Sequence, residues 1–162
     1  MKKLAGFSLL ETIITIVILA IVAVSGGTIL QNQFQASFVS RDILEMTARS
    51  NHTLERMSRE IREARDTSDI SQAQTQTFAF IDIRGNRITY SLSGANLMRN
   101  TQVILTGVTG LTFSYLDNSY ATLAIPIADT SQIACIMVAI TTSQNNLTST
   151  INTQICPRNF SL

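Results

Sequence analysis

The chain has 162 residues, enough for one domain with a terminal appendage but not for two full domains. Twelve Lys and Arg stand against eleven Asp and Glu, and a formal net charge of +1 excludes any broad electrostatic claim on nucleic acid or anionic lipid. The charge is unevenly placed: none falls between Thr12 and Ser40, Arg41 to Asp69 is crowded with it, and the Thr/Ser/Asn-rich remainder carries little. This distribution predicts three environments in succession: lipid, a solvated helix and a β-rich polar surface.

The first element is apolar. Phe7 to Leu30 comprises 24 residues with Glu11 as its only charge, and a helix of that length spans about 36 Å, enough to cross a bilayer. Lys2 and Lys3 precede it, which predicts a cytoplasmic N-terminus with the rest of the chain outside. An ordinary secretory signal peptide also has a charged start and an apolar run, and Ala23, Ser25 and Gly26 form a weak cleavage region for one. Against it stand the length of the apolar run, the lack of a clean small-x-small site and the carboxylate near its start. That carboxylate is expensive in hydrocarbon unless neutralised or paired, although at headgroup level it would be solvated. No Lys or Arg follows between Thr12 and Ser40, so the complement the sequence suggests is a cation on another molecule or a newly exposed amino terminus.

The string Lys2-Lys3-Leu4-Ala5-Gly6-Phe7-Ser8-Leu9-Leu10-Glu11-Thr12 resembles the class III leader of type IV prepilins and type II secretion pseudopilins. In that family a short basic leader ends in Gly, and the mature chain begins with Phe and has Glu as its fifth residue. The resemblance implies cleavage between Gly6 and Phe7 by a prepilin peptidase, N-methylation of Phe7, and a subunit-assembly role for Glu11 opposite the amino terminus of a neighbour. It departs from many major pilins in lacking a proline near the twentieth mature residue, where Ser25, Gly26 and Gly27 stand instead. Two glycines would soften a helix there or allow close helix packing, and the sequence leaves both open.

From Arg41 to about Thr67 the spacing remains helical, with an apolar stripe of Leu44, Ala48, Leu54, Met57, Ile61 and Ala64. Four opposite-charge pairs are expected at i,i+4: Glu55/Arg59, Arg56/Glu60, Arg59/Glu63 and Arg62/Asp66. His52 has no second ligand at metal-binding spacing and is expected on the surface. The Arg56 to Arg65 run is interleaved with acids, which points to a solvated ion-pair face rather than a nucleic-acid surface.

Past Asp69 the periodicity alternates. Strands are expected over 77–83, 87–92, 96–99, 103–105, 111–116, 133–141 and 147–155, with turns at Arg84-Gly85-Asn86 and at Gly107-Val108-Thr109-Gly110. These strands predict an antiparallel sheet covered by the helix stripe, hence an α+β fold. Cys135 and Cys156 are too few for a structural zinc site. In an oxidising compartment they read as a disulfide closing a loop of about twenty residues, worth roughly 3 kcal/mol, with two buried free thiols as the alternative. The domain boundaries so read are 1–6 (leader), 7–40 (transmembrane and assembly half of the helix), 41–69 (solvated half) and 70–162 (β-rich head).

That picture is similar to the pilin fold. The runs Leu54 to Arg62, Ile88 to Leu92, Leu97 to Arg99, Leu111 to Tyr115 and Pro157 to Asn159 look like minor pilins of the mannose-sensitive haemagglutinin type and J-like minor pseudopilins. The resemblance implies a minor pilin of a bacterial type IV pilus. A minor pseudopilin of a type II secretion system is the rival within the family, and a secreted, signal-peptide-cleaved binding domain the rival outside it. The implied partners are other pilin or pseudopilin subunits, the prepilin peptidase, an inner-membrane assembly platform and the membrane; nucleic acid is disfavoured except at a pilus tip. No catalytic constellation is expected, because a triad would need His52 and the cysteines are better used on each other. No cofactor or metal is implied, and Asp82, Asp117 and Asp129 lack the clustering of a Ca²⁺ site.

Overall fold

The computed structural model describes residues 9–160, apart from the side chains of several residues between 28 and 39. Leu4, Gly6 and Phe7, and with them the leader and its junction, lie outside the described residues. The chain divides into two compact units, Met1–Arg41 and Asp42–Leu162.

The described part of the first unit is entirely helical and belongs to α1, Leu9–Arg62. Its side chains from Leu9 to Val24 are all exposed, Leu9 at 79% and Val24 at 70%, so among the described residues nothing uses their apolar surface as core. Helix is maintained by the hydrogen-bond ladder and by hydroxyls that satisfy themselves. Thr15 Oγ1 donates to the Glu11 carbonyl at 2.6 Å and Ser25 Oγ to the Ile21 carbonyl at 2.9 Å.

The second unit begins in the later part of α1 and continues through eight strands: β1 (Gln72–Ala73), β2 (Thr77–Ile81), β3 (Arg87–Ser93), β4 (Asn96–Arg99), β5 (Gln102–Thr106), β6 (Val108–Leu116), β7 (Cys135–Gln144) and β8 (Leu147–Ile155). All pairings are antiparallel, but they form two sheets rather than the single one expected, ordered β1-β2-β3-β4-β5 and β6-β7-β8. The break lies at Gly107, expected to lead a four-residue turn. Only Gly107 itself turns, at φ 73°, and Val108 already opens β6. A Cβ at Gly107 would come within 3.3 Å of the Ser143 carbonyl, and the Ser143 amide donates to the Gly107 carbonyl at 2.8 Å, so the close approach to β7 requires glycine. The β7–β8 hairpin turns through Asn145 and Asn146, both at positive φ as a two-residue type I′ loop demands.

The sheets meet through aromatic rings. Phe78 on β2 lies 5.6 Å from Phe113 and 5.9 Å from Tyr115 of β6 (ring centroids), and all three are fully buried, each contributing roughly 1.5–3 kcal/mol of transfer free energy. Backbone ties join them: the Phe113 amide donates to the Thr75 carbonyl at 2.7 Å and the Tyr115 hydroxyl to the Gln74 carbonyl at 3.0 Å.

The buried face of α1 in this unit is Met46, Ser50, Thr53, Leu54, Met57 and Ile61. Leu44 and Ala48, expected in the stripe, are exposed. Ala48 is nine residues from Met57, about 180° around a helix of 3.6 residues per turn, whereas Met46 and Ser50 are eleven and seven residues away and return to the same face. The helix also stops earlier than expected, at Arg62. The Glu63 and Ala64 amides bond to the Glu60 and Ile61 carbonyls, three residues back, and the chain then peels off as Ala64 bridges Asp82 and the Arg65 amide donates to Ile81. Asp66 caps a short 3₁₀ turn, Thr67–Asp69, by accepting from the Ser68 amide, which takes it out of reach of Arg62.

Candidate functional site

The first candidate site is the apolar start of α1. Among the described residues Leu9–Gly27 is the one segment long and apolar enough to cross a membrane, and its 19 residues span about 28 Å, close to a hydrocarbon core of about 30 Å. No part of it is buried within the protein, which is not the condition of a soluble core helix. Glu11 sits in its first turn. Gly26 and Gly27 are helical, and a Cβ on either would meet nothing within 4 Å, so no contact inside the described chain demands glycine there.

The second is the surface of the Asp42–Leu162 unit. Cys135 and Cys156 are joined by a disulfide with a Cα–Cα distance of 4.2 Å, which ties the first residue of β7 to the segment after β8. Asn159 donates to the Ala64 carbonyl and Phe160 is buried, so the end of the described chain returns to the base of the helix.

Glu60 makes the densest polar contact. Its Oε2 accepts from the Tyr90 hydroxyl at 2.6 Å and from Arg99 Nε at 2.7 Å, and its Oε1 from Arg56 Nε at 3.0 Å. Tyr90 on β3 and Arg99 on β4 are cross-strand partners, so one carboxylate clasps α1 to two strands. Burial alone would raise the Glu60 pKa, but the hydrogen bonds from Arg99, Tyr90 and Arg56 outweigh it and hold the carboxyl below its ordinary range. Burial and then the Glu60 carboxylate push the Tyr90 phenol far above its ordinary value. Sequence spacing anticipates only the Arg56–Glu60 contact. The other two arise from strand pairing, and the one visible signal is Tyr and Arg on adjacent expected strands. Among the described residues Glu55/Arg59, Arg59/Glu63 and Arg62/Asp66 form no ion pair, while Glu45–Arg49 and Arg65–Asp69 do.

The three aspartates considered for Ca²⁺ are turn-formers. Asp82 accepts from the Arg84 and Asn86 amides and the Asn86 side chain, Asp117 from the Ser119 and Ala121 amides, and Asp129 from the amide and hydroxyl of Ser131. Among the described residues no three His, Cys, Asp or Glu side chains are grouped to hold a metal ion. His52 is exposed on α1, beside Val103 and Ile104 of β5.

Residues 1–26 match the family model of the prokaryotic N-terminal methylation motif. No curated protein is a significant match to the chain. The matched segment contains the Gly6-Phe7 junction, Glu11 and most of the membrane-compatible helix, and the α+β architecture that follows, with its antiparallel sheets, is consistent with the pilin fold. The chain therefore carries at its N-terminus a prokaryotic N-terminal methylation motif, which supports a class III prepilin leader, overlapping a helix long and apolar enough to cross a membrane.

Proposed function

We propose that this pilin-type subunit is a minor pilin of a bacterial type IV pilus. The prepilin peptidase removes residues 1–6, Phe7 is N-methylated, and the processed chain waits in the inner membrane with its N-terminus cytoplasmic and its α+β domain in the periplasm. It then joins other subunits through the apolar half of α1. The observation that carries this reading is the methylation motif over residues 1–26, which takes in most of an apolar helical segment, Leu9–Gly27, that is not buried among the described residues. Burying such a helix among its like keeps its side chains out of water both before and after extraction from lipid.

Glu11 is the assembly residue in this account. An ionised carboxylate is costly in hydrocarbon, so meeting the charged amino terminus of a neighbour favours one axial register over others. The disulfide and the Glu60 clasp keep the exported domain folded while the helix is handled by the assembly platform. In cells producing Glu11→Ala, processing should proceed while the protein fails to appear in sheared filaments; its normal recovery in filaments would refute the role given to Glu11. Crosslinking in membranes separates the two family readings: capture of pilus shaft subunits supports the minor pilin, and capture of secretion pseudopilus subunits alone replaces it with the minor pseudopilin.

A further inference from the structure

The β6-β7-β8 sheet has one side closed and one open. Along β6 the outer edge is covered, by the Phe113 amide bond to Thr75 and the Leu123 amide bond to Tyr115. β8 ends the sheet on the other side, and among the described residues no further backbone hydrogen bond is made along it. Its nine residues, Leu147 to Ile155, pair with β7 without a register shift and contain no charge, no proline and no glycine. Charges, prolines and bulges are among the devices by which natural edges avoid pairing, and β8 carries none of these three. The other open edges are protected: β1 has two residues, and β5 has five and a bulge in its pairing with β4.

A groove runs beside this edge. Its upper part, about 460 Å³, lies between Leu54, Ser58, Arg59 and Arg62 of α1 and Asn152 and Thr153 of β8. It continues for about 540 Å³ past Gln154 to Cys156 and Arg158. Arg59, Arg62 and Arg158 are exposed, and none forms an ion pair among the described residues. Glu55 and Glu63 line the same groove, which leaves three arginines against two glutamates.

We propose that the open edge of β8 and the arginine-lined groove beside it bind an extended, acidic polypeptide segment of a partner protein, which adds a fourth strand to the β6-β7-β8 sheet. Unpaired strand amides and carbonyls are satisfied in register only by another backbone, and an antiparallel addition continues the order already present. In an extended segment alternate side chains share a face, so carboxylates at every second position would lie over Arg59, Arg62 and Arg158. The intervening side chains would lie on the other face of the sheet, beside those of β8, whose residues alternate between half-buried and exposed. This site is independent of the apolar helix, so it stands or falls separately from the filament reading.

The test uses the full chain in detergent micelles and a fluorescein-labelled ten-residue peptide with Glu at positions 1, 3 and 5 and Thr or Val elsewhere. We expect saturable binding by anisotropy, slower amide exchange over Leu147 to Ile155, and loss of binding when alternate peptide amides are N-methylated. A peptide with Lys replacing Glu should bind at least about tenfold more weakly, and Arg62→Glu with Arg158→Glu should weaken the acidic peptide by about the same factor. Both arginines are exposed, and an unchanged circular dichroism spectrum of the double variant checks that it is folded. No binding, equal binding of the Lys peptide, undiminished binding of the N-methylated peptide, or preference for a single-stranded oligonucleotide would each overturn the proposal.

Discussion

Replacing Glu60 with alanine removes the acceptor for three donors at once, and their different exposures set the magnitude. Tyr90 is buried, so its hydroxyl loses a 2.6 Å hydrogen bond that water from the partly exposed Glu60 side replaces only incompletely, at about 1–3 kcal/mol. Arg99 has 23% of its side chain exposed and loses a charge-assisted bond of roughly 1.5–3 kcal/mol, partly recovered by hydration. Arg56, at 40%, turns to solvent at a cost of at most about 1 kcal/mol. With non-additivity among shared partners, Glu60→Ala should destabilise the Asp42–Leu162 unit by about 3–4 kcal/mol. Urea denaturation of the detergent-solubilised chain, followed by near-ultraviolet circular dichroism of the buried tyrosines, measures it. Adding Tyr90→Phe to Glu60→Ala removes the orphaned hydroxyl and should restore about 1 kcal/mol. A cost below about 1 kcal/mol, or strictly additive effects of the two substitutions, would refute the clasp.

Removing the disulfide by Cys135→Ala with Cys156→Ala should cost roughly 3 kcal/mol, because the bond spans 21 residues of chain that regain freedom when unfolded; an unchanged urea midpoint would contradict this. Glu60 and Asp82 are both held below the ordinary carboxylate range, Glu60 by its three donors and Asp82 by Asn86 and Arg84 against the opposing effect of burial. A depressed folded pKa contributes stability that is complete above the unfolded value, about pH 4 to 4.5, and is lost as pH falls through the lower folded value. Thermal melts should therefore fall steeply below about pH 4, and Glu60→Gln should flatten that acid limb; an identical slope in the variant would assign the acid sensitivity elsewhere.

The N-terminal motif was legible because its chemistry is linear: charge, junction, carboxylate and apolar run follow one another at fixed spacing. Hairpins were legible where local turn chemistry marks them, as at Arg84-Gly85-Asn86. What the chain order hides is pairing at a distance. Nothing in the run from β5 to β6 announces that the sheet breaks at Gly107, since that turn is required by the approach of Ser143 from β7. The stop of α1 at Arg62 has no Gly or Pro signal, because Ala64 is drawn off by Asp82 of the β2–β3 connection. β1 is too short, at two residues, to leave a periodicity. The stripe was misphased at Leu44 and Ala48 because the buried positions that replace them include Ser50 and Thr53, polar residues accommodated by the Ser50–Thr142 contact and the Thr53 bond to the Arg49 carbonyl. Only Arg56 of the Glu60 clasp was visible, as the i,i+4 partner; Tyr90 and Arg99 arrive through strands thirty and more residues away.

In the proposed function the polypeptide loses its first six residues and keeps its apolar helix. Mass spectrometry of the protein purified from membranes tests it most directly. A mature chain beginning at Phe7 with one added methyl group on its amino nitrogen is the expected result, and a soluble chain beginning near Ser25 or Gly26 would contradict the account.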